Sequence, residues 1–434
     1  MPPGEDMPLL EDHPRRYDLA NELHARPFPE VPSQARAAYL AVRAAGDAAR
    51  RDRDLDRAHL LALLDRHGAA HPAPGATHYT GALGKYRLKW ESHTEFVTYT
   101  IFAEGVADRA FDRGTFDLFP EDWLAAAPGQ RITSALIRVE SVGEEAEILG
   151  RVEQWFDRES LAVARVLDGA LVVAADFRID EAGHMRFALF PAQGCGRRRI
   201  GRVVQRLCEI ETYKAMSMLG LLQARKVVAE LAEIEQELGH LMGRLTGGDG
   251  TGAEEVLGEI LHLSTRIEKI VTRSNFRFGA TGAYEAIVTQ RIEALRETRL
   301  AGRQLFGEFM MRRFDPAMRT VRAAERQLES LATRAARAAN LLRTKVDVAR
   351  QAQNQKLLES MDRRADLQLR LQETVEGLSV VAISYYALGL AGYLVHPVLG
   401  PLGLSKGLAL ACLTPPVVLA VWLGLRRIRR RHLG

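Results

Sequence analysis

Two uncharged apolar runs, residues 378–395 and 407–425, dominate the hydrophobic pattern of this chain. Each is about long enough to cross a hydrocarbon core of roughly 30 Å at about 1.5 Å per helical residue. A loop containing Pro and Gly separates them, so the pattern predicts a two-helix transmembrane hairpin over residues 377–425. A basic tail, residues 426–434, follows, and its five arginines are the expected topology determinants: Arg426, Arg427, Arg429, Arg430 and Arg431.

The orientation of this hairpin follows from basic residues near the spans, which favour the cytoplasmic side. Arg363, Arg364 and Arg370 precede the first run, whereas the connection between the runs contains only Lys406. The first 30 residues contain no apolar segment of the signal-peptide type. We therefore expect a multi-pass membrane protein, in contact with the lipid bilayer, with both termini cytoplasmic.

A 60-residue stretch, residues 317–376, leads into the first run and contains neither Gly nor Pro. The absence of helix breakers predicts one long stalk helix. Its apolar residues repeat every seven positions, which favours packing in a helical bundle or a coiled coil. Many are small alanines, so neighbouring helices are needed, and we expect a homo-oligomer. The repeat comprises Val321, Leu328, Ala335, Leu342 and Ala349, then Ala324, Leu331 and Ala338, and, after a change of phase, Leu357, Met361, Leu371 and Val375.

Helical periodicity also precedes this stretch, over Arg206–Leu245, Ala253–Ser274 and Ala283–Arg313. A Gly-rich turn follows the first of these segments, as is typical of a helix end. Together with the stalk they predict a helical bundle over residues 203–376.

The amino-terminal part has a different pattern. Segments rich in β-branched and aromatic residues predict strands at Glu95–Phe102, Ser134–Val142 and Ala170–Phe177. The last of these and Met185–Phe190 predict a β-hairpin with Gly183 at a positive φ. We expect helices within Pro32–His67 and at Pro120–Ala127, and core positions for Trp90, Trp123 and Trp155 rather than a ligand cage.

These patterns divide the chain into a segment with a helical stretch (1–77), an α+β domain (78–202), the bundle (203–376), the hairpin and the tail. The expected fold class is an α+β cytoplasmic domain followed by a long-helix bundle or coiled-coil stalk and a C-terminal transmembrane hairpin.

Composition adds little to this organisation. The chain has 434 residues, with 59 basic and 55 acidic side chains and a formal charge of +4. Basic residues are mixed with acidic ones rather than clustered beside aromatic stacking platforms, so we expect no nucleic-acid partner. Three cysteines, Cys195, Cys208 and Cys412, contain no CxxC pair and exclude a disulfide framework or cysteine zinc site.

One basic string is a candidate binding site. Arg197, Arg198, Arg199 and Arg202 lie in a glycine-containing segment between the last expected strand and a helix, where an anion or lipid headgroup could bind. The segment matches neither a P-loop nor a dinucleotide fingerprint. An exposed basic linker is the alternative interpretation.

Other polar groups do not form a recognisable catalytic or metal site. His67 and His71 have the spacing of helical zinc ligands, with His78 nearby, but Gly68 and Pro72 favour loop histidines. Glu209, Glu211 and Tyr213 share a helix, yet the two carboxylates do not share a face. We therefore expect no catalytic residues, no metal, no cofactor and no enzyme activity.

Several strings resemble a bacterial family of predicted membrane-anchored proteins, domain of unknown function 3422. The family supplies no activity that could be carried over. The resemblance spans nearly the whole chain and lies in Leu19–Phe28, Glu209–Tyr213, Phe278–Tyr284, Gly307–Arg313, Pro316–Thr320 and Val375–Tyr386.

In layout the chain also resembles the CorA-type magnesium channels, which place a Gly-Met-Asn motif at the end of the first span. Gly392-Tyr393-Leu394 occupies that place here, and the loop has no acidic residue. Fold-level likeness does not determine function. Together with the family resemblance, these features lead us to expect an oligomeric interaction or scaffold role at the bacterial inner (plasma) membrane. An unknown protein is a candidate partner, and a CorA-like divalent cation channel is the alternative.

Overall fold

The computed structural model describes residues 10, 12–22, 28–46, 50–246, 252–399 and 405–432. By its internal contacts the chain divides into two compact units. The first comprises residues 1–247 and 259–337, and the second comprises residues 248–258 and 338–434.

The first unit contains one nine-stranded sheet in the order β2-β3-β4-β1-β5-β8-β7-β6-β9. Its neighbouring strands are antiparallel except for β5 and β8, which are parallel. The strands are β1 (Ala35–Arg43), β2 (His78–Leu83), β3 (Tyr86–Ser92), β4 (Phe96–Glu104), β5 (Gln130–Val139), β6 (Ala162–Val166), β7 (Leu171–Ala175), β8 (Met185–Pro191) and β9 (Thr298–Arg299).

The helices range from short surface elements to one of 85 residues. They are α1 (Arg16–Glu22), α2 (Arg53–Arg66), α3 (Glu121–Ala125), α4 (Glu145–Trp155), α5 (Arg197–Thr246), α6 (Ala253–Glu293), α7 (Phe306–Arg313), α8 (Asp315–Leu399) and α9 (Lys406–His432). The coarse prediction is confirmed: a mixed α+β sheet region is followed by long helices, and the last two carry the apolar runs.

The helix expected to begin near Pro32 is wrong over Ala35–Arg43, because these residues form strand β1. The strand occupies the middle of the sheet, hydrogen-bonded to β4 on one side and β5 on the other. Its sequence, ARAAYLAVR, is rich in alanine, which favours helices in isolation. Because both edges of the strand pair with neighbours and seven of its nine residues are buried, tertiary pairing overrides that propensity. Among the described residues of that stretch, the α-helix is α2, later in the chain.

One face of the sheet packs on α2 and α3 through an apolar core. Leu60 and Leu64 of α2 contact Leu88 and Trp90 of β3 there. Trp123 of α3 is buried in the same core, as predicted for it and for Trp90. Side chains alternate along each strand, so every second residue, such as Leu88 and Trp90 of β3 or Val97 and Tyr99 of β4, faces this core.

A second core lies where α4 covers β6, β7 and β8. Val152 packs with Val163 and Phe190 there, and Trp155 packs at its edge, partly buried. The predicted hairpin between β7 and β8 is confirmed, with Gly183 at φ +90°. That conformation suits glycine because it has no Cβ.

Helices α5, α6 and the first part of α8 pack through buried apolar side chains. Val321, Leu328 and Ala335, three members of the predicted seven-residue repeat, are buried. Ion pairs join the exposed sides of the helices, including Arg273–Glu230 at 2.8 Å. Helix α5 approaches α6 closely at Gly220, where a Cβ would collide with the Thr281 hydroxyl.

Two predicted helices have different bounds. Ala253–Ser274 and the start of Ala283–Arg313 form one continuous helix, α6, which ends at Glu293. The chain then forms β9 and resumes as the short helix α7. Gly279 and Gly282 do not interrupt α6, because helix packing tolerates the cost of about 1 kcal/mol for each glycine.

In the second unit, α8 continues past Gly377 to Leu399 and α9 passes through Pro415 and Pro416. Ala339, Leu342 and Val346 are buried, but the later repeat members Leu357, Met361, Leu371 and Val375 are between 57% and 66% exposed. The first part of the predicted repeat is therefore buried, and within the described chain its distal part is not covered. The connection between the two apolar runs, residues 400–404, lies outside the described residues.

Candidate functional site

The face of the sheet opposite α2 carries a buried layer of polar side chains. On β3, Lys89 and Glu91 alternate with Leu88 and Trp90 and point the other way. Thr98 and Thr100 of β4 continue the polar layer, and all four side chains are buried. Helix α5 covers them, so the layer lies between the sheet and the helix.

The charges of this layer are matched by a chain of polar contacts. Lys89 Nζ lies 3.0 Å from Glu91 Oε2 and donates to Gln205 Oε1 at 2.7 Å. Gln205 Nε2 donates to Glu209 Oε1 at 2.7 Å, and Arg291 of α6 donates to the other oxygen of Glu209. Burying charges is costly unless they are paired and hydrogen-bonded. The chain of contacts satisfies that requirement and ties β3, α5 and α6 together.

A cleft of about 390 Å³ opens beside this chain of contacts. Its inner end adjoins a cavity of about 20 Å³ that reaches Tyr39 and Cys208. The smaller space is large enough for about one water molecule. Burial raises the pKa of the Cys208 thiol, so this cysteine remains a neutral thiol at the cleft floor. The cleft is lined by Phe28, Glu91, His93, Gln205, Arg206, Glu209, Tyr213 and Arg291.

The rim of the cleft is cationic. Arg206 donates to the Ala294 carbonyl oxygen at 2.7 Å, a neutral partner. Burial, and then the nearby charges of Arg202 and Arg291, lower the pKa of the Arg206 guanidinium. Arginine stays protonated at neutral pH nonetheless. Like charges are therefore held close together at the entrance.

Aromatic side chains form the other walls. Tyr213 stands edge-on to Phe96 at 5.7 Å between ring centroids, and its hydroxyl lies 3.4 Å from His93 Nδ1. On the outer side, Phe28 is 41% exposed, and the Arg202 guanidinium lies 5.1 Å from its ring centroid. The segment carrying Phe28 crosses α5 at Gly201, where a Cβ would collide with the Pro29 carbonyl oxygen. Gly201 thus permits the approach that closes the cleft.

A second charged contact fixes α6 to the same side of the sheet. Glu95 is fully buried and receives both terminal nitrogens of Arg277, with Arg43 3.7 Å away. Tyr284 donates its hydroxyl to Glu95 Oε1 at 2.8 Å. Burial and the negative charge of Glu95 raise the pKa of Tyr284, so its hydroxyl keeps its proton and remains a donor. This contact is structural in character because both carboxylate oxygens of Glu95 are occupied by partners from α6.

With this geometry established, a family model fits the chain. The model of a protein of unknown function, DUF3422, matches residues 11–432. The chain belongs to this family. Neither a curated protein nor a solved structure matches it.

In this DUF3422 protein, three of the strings that carried the resemblance contribute to one side of the sheet. Phe28, from the first string, and Glu209 with Tyr213, from the second, line the cleft. Tyr284, from the third, bonds Glu95 and stacks against Tyr213 at 5.4 Å between centroids. Residues 23–27 of the first string lie outside the described residues.

Sequence reasoning singled out Glu209, Glu211 and Tyr213 but did not place them in a site. The other charged residues at the cleft, Lys89, Glu91, Arg206 and Arg291, were missed. The usable signal was the alternation of charged and apolar residues on β3, which places charges on a buried face. Both carboxylates of the cleft already bond a cation.

The predicted arginine site begins α5 and lies on the surface. Arg198 Nε is 2.9 Å from Glu30 Oε1, and Arg197 is 4.0 Å from Glu104. Arg202 covers Phe28, and Arg199 has no ion pair among the described residues. The anion or lipid-headgroup assignment of this string stays a prediction.

The histidine group does not assemble as a cluster in the fold. His67 ends α2, His78 begins β2, and His71 Nε2 lies 2.6 Å from Asp65 Oδ1. Elsewhere Ser134 Oγ lies 2.9 Å from His184 Nδ1, but both side chains are buried away from solvent. That pair is closed to a substrate.

The tail arginines are described in part. Arg426 lies 5.0 Å from the Trp422 ring centroid, and Arg427 is exposed. The side chains of Arg429, Arg430 and Arg431 lie outside the described part of the chain. Of the apolar arms, α8 approaches α9 at Gly392, where a Cβ would lie 3.3 Å from a Leu410 methyl group. Helices α8 and α9 are the two that are long and apolar enough to cross a membrane among the described residues, and they approach one another at Gly392.

Proposed function

We propose that this protein is a membrane-anchored, non-enzymatic scaffold. In this proposal its body lies in the cytoplasm and its copies associate through the distal part of α8. The single observation that carries the proposal is the exposed apolar stripe of α8, which leads without interruption into an apolar arm.

The stripe is continuous with a buried face of the same helix. Ala339, Leu357 and Val375 are spaced by eighteen residues, or about five turns at about 3.6 residues per turn. They therefore lie on one line along α8. Ala339 is buried against the protein's own chain, whereas Leu357 and Val375 are exposed. A second copy, which carries the same stripe, is the partner that would extend the packing.

The apolar arms support the anchoring part of the proposal. Leu378, Tyr385 and Leu394 are each more than 70% exposed, and so are several of their neighbours. Large contiguous apolar surfaces of this kind mark membrane or protein contacts. Arginines follow the second arm, so positive-inside orientation would place both termini in the cytoplasm.

Cysteine labelling tests the topology. In a variant without Cys195, Cys208 and Cys412, Ser405→Cys should react with a membrane-impermeant maleimide added outside spheroplasts. Ser360→Cys, an exposed position on α8, should react only after the membrane is opened. Equal labelling at both sites in intact spheroplasts would contradict the anchoring.

The oligomer is tested by mass determination of the full chain in detergent. Leu371→Gln removes a stripe residue, and Leu369→Gln is the matched control because Leu369 is similarly exposed on another face. Burying one leucine contributes about 1.5–3 kcal/mol, so Leu371→Gln should shift the assembly towards monomers. A chain that is monomeric before substitution, or two variants that behave alike, would refute self-association through this stripe.

The alternative is a CorA-like divalent cation channel, favoured only by the arrangement of a long helix before two apolar arms. Neither run contains a charged residue that would attract a cation. A pentamer that conducts Mg²⁺ in liposomes would support the channel, and a monomer or dimer would exclude it.

A further inference from the structure

The cleft between the sheet and α5 combines a ligand-sized volume with a cationic rim and aromatic walls. We propose that it binds a small organic anion in which a carboxylate or phosphate is attached to a flat ring. The proposal concerns the body of the protein and is independent of the membrane role proposed above.

The size of the cleft sets the first limit. Small-molecule sites in proteins occupy roughly 300–1,000 Å³. The cleft, at about 390 Å³, lies near the lower end of that range. Its inner cavity of about 20 Å³ adds space only for a water. The ligand is therefore compact, with one ring rather than an extended chain.

The charges of the rim select an anion. Glu209 is shared by Arg291 and Gln205, and Glu91 is bonded to Lys89, so neither carboxylate is left to neutralise a further cation. Arg206 donates to a carbonyl oxygen and forms no ion-pair contact with a carboxylate among the described residues, although Glu209 is near enough to act on its charge. An anion bound beside Arg206 and Arg291 would relieve the repulsion between them. Arginine binds carboxylate and phosphate through paired N–H donors.

The walls select a flat ring. Phe28 is partly exposed on one side of the cleft, and its ring is already associated with Arg202. Tyr213 also lines the cleft, and its ring is held in place by Phe96 and Tyr284. Aromatic pairs at such distances contribute beyond simple burial. A flat ring in contact with these aromatic side chains would lie in the same cleft as Arg206 and Arg291, which would bind its anionic group.

Isothermal titration calorimetry of the full-length protein in detergent tests this. The probes are phenyl phosphate and benzoate. The control ligands are phenol, which has the ring without the anionic group, and inorganic phosphate, which is the anion without the ring. We expect saturable binding of phenyl phosphate or benzoate with one ligand per chain, and at least about tenfold weaker binding of either control ligand.

Two variants locate the site. Arg206→Gln retains a donor for the Ala294 carbonyl oxygen but loses the charge, and should weaken binding of the aromatic anion about tenfold or more. Arg273→Gln, a helix-surface arginine paired with Glu230, is the matched control and should leave the affinity unchanged. Phe28→Leu should weaken phenyl phosphate and leave inorganic phosphate unaffected, even if Arg206→Gln does not fold.

Several results would overturn the proposal. These are no measurable heat with either aromatic anion, inorganic phosphate binding as tightly as phenyl phosphate, or phenol binding as tightly as benzoate. Equal loss of affinity in Arg206→Gln and Arg273→Gln would likewise reject this cleft as the site.

Discussion

The two faces of one sheet are built on opposite principles, and strand β3 displays both. Leu88 and Trp90 lie in an apolar core against α2, while Lys89 and Glu91, their immediate neighbours, lie in a polar layer against α5. The apolar face is closed by leucines and aromatic rings. The polar face is held by a chain of directional contacts and leaves a cleft. Space for a ligand thus occurs where packing depends on matched polar groups.

The largest expected effect tests whether the polar face depends on complete pairing. Glu95→Gln removes the charge that two arginines and Tyr284 contact. Breaking a buried ion pair costs about 3–5 kcal/mol because a charge is left uncompensated. Urea unfolding of the full chain, followed by tryptophan fluorescence, should therefore show a large loss. Glu104→Gln, at an exposed pair, should change stability by less than about 1 kcal/mol.

The apolar face should respond through cavity formation. Leu88→Ala removes a fully buried side chain and should cost about 2–5 kcal/mol in the same unfolding measurement. Arg87→Ala, one residue earlier and exposed, should stay within about 0.5 kcal/mol. Similar losses from the two substitutions would mean that Leu88 does not pack against α2 as described.

A smaller loss of stability is expected from removing a single hydrogen bond between the sheet and α5. Tyr39 of β1 pairs its hydroxyl with that of Thr212, and both side chains are buried. Tyr39→Phe keeps the ring and should cost about 0.5–1.5 kcal/mol. The control Tyr86→Phe is half-buried and should be neutral. A neutral Tyr39→Phe would argue that the two hydroxyls do not bond.

The smallest expected effect is a pH dependence of the stability, caused by two buried histidines on the apolar side of the sheet. Burial lowers the pKa of His59, whose Nε2 donates to the Trp123 carbonyl oxygen at 2.9 Å while Nδ1 accepts from Tyr99 at 3.0 Å. Burial likewise lowers the pKa of His184, where the charge of Arg131 adds to the effect. The unfolded chain binds these protons more readily. Their stabilisation is therefore complete above the ordinary histidine pKa of about 6.5 and is lost as pH falls below it.

Urea midpoints at pH 7.5 and 5.5 measure this dependence. His59→Gln should lower stability at pH 7.5 but reduce the difference between the two pH values. The exposed His262→Gln should leave that difference unchanged. An undiminished difference in His59→Gln would show that His59 titrates as it does in the unfolded chain.

Sequence alone determined the elements whose pattern is local. The hairpin at Gly183, the uninterrupted stalk helix and the two apolar runs follow from turn chemistry, the absence of breakers and simple hydrophobicity. Each signal lies within a few turns or residues of chain. Strand β1 was not predicted, because its alanines favour a helix. Only its pairing with β4 and β5 on both edges makes it a strand.

The tertiary structure alone decided the cleft. Glu209 and Arg291 are 82 residues apart, and Lys89 and Gln205 are 116 apart, yet each pair bonds across the buried layer. Local periodicity carries no information on which charge on one element faces which charge on another. That matching depends on how α5 and α6 lie against the sheet, since a buried charge is stable only where its partner is brought to it.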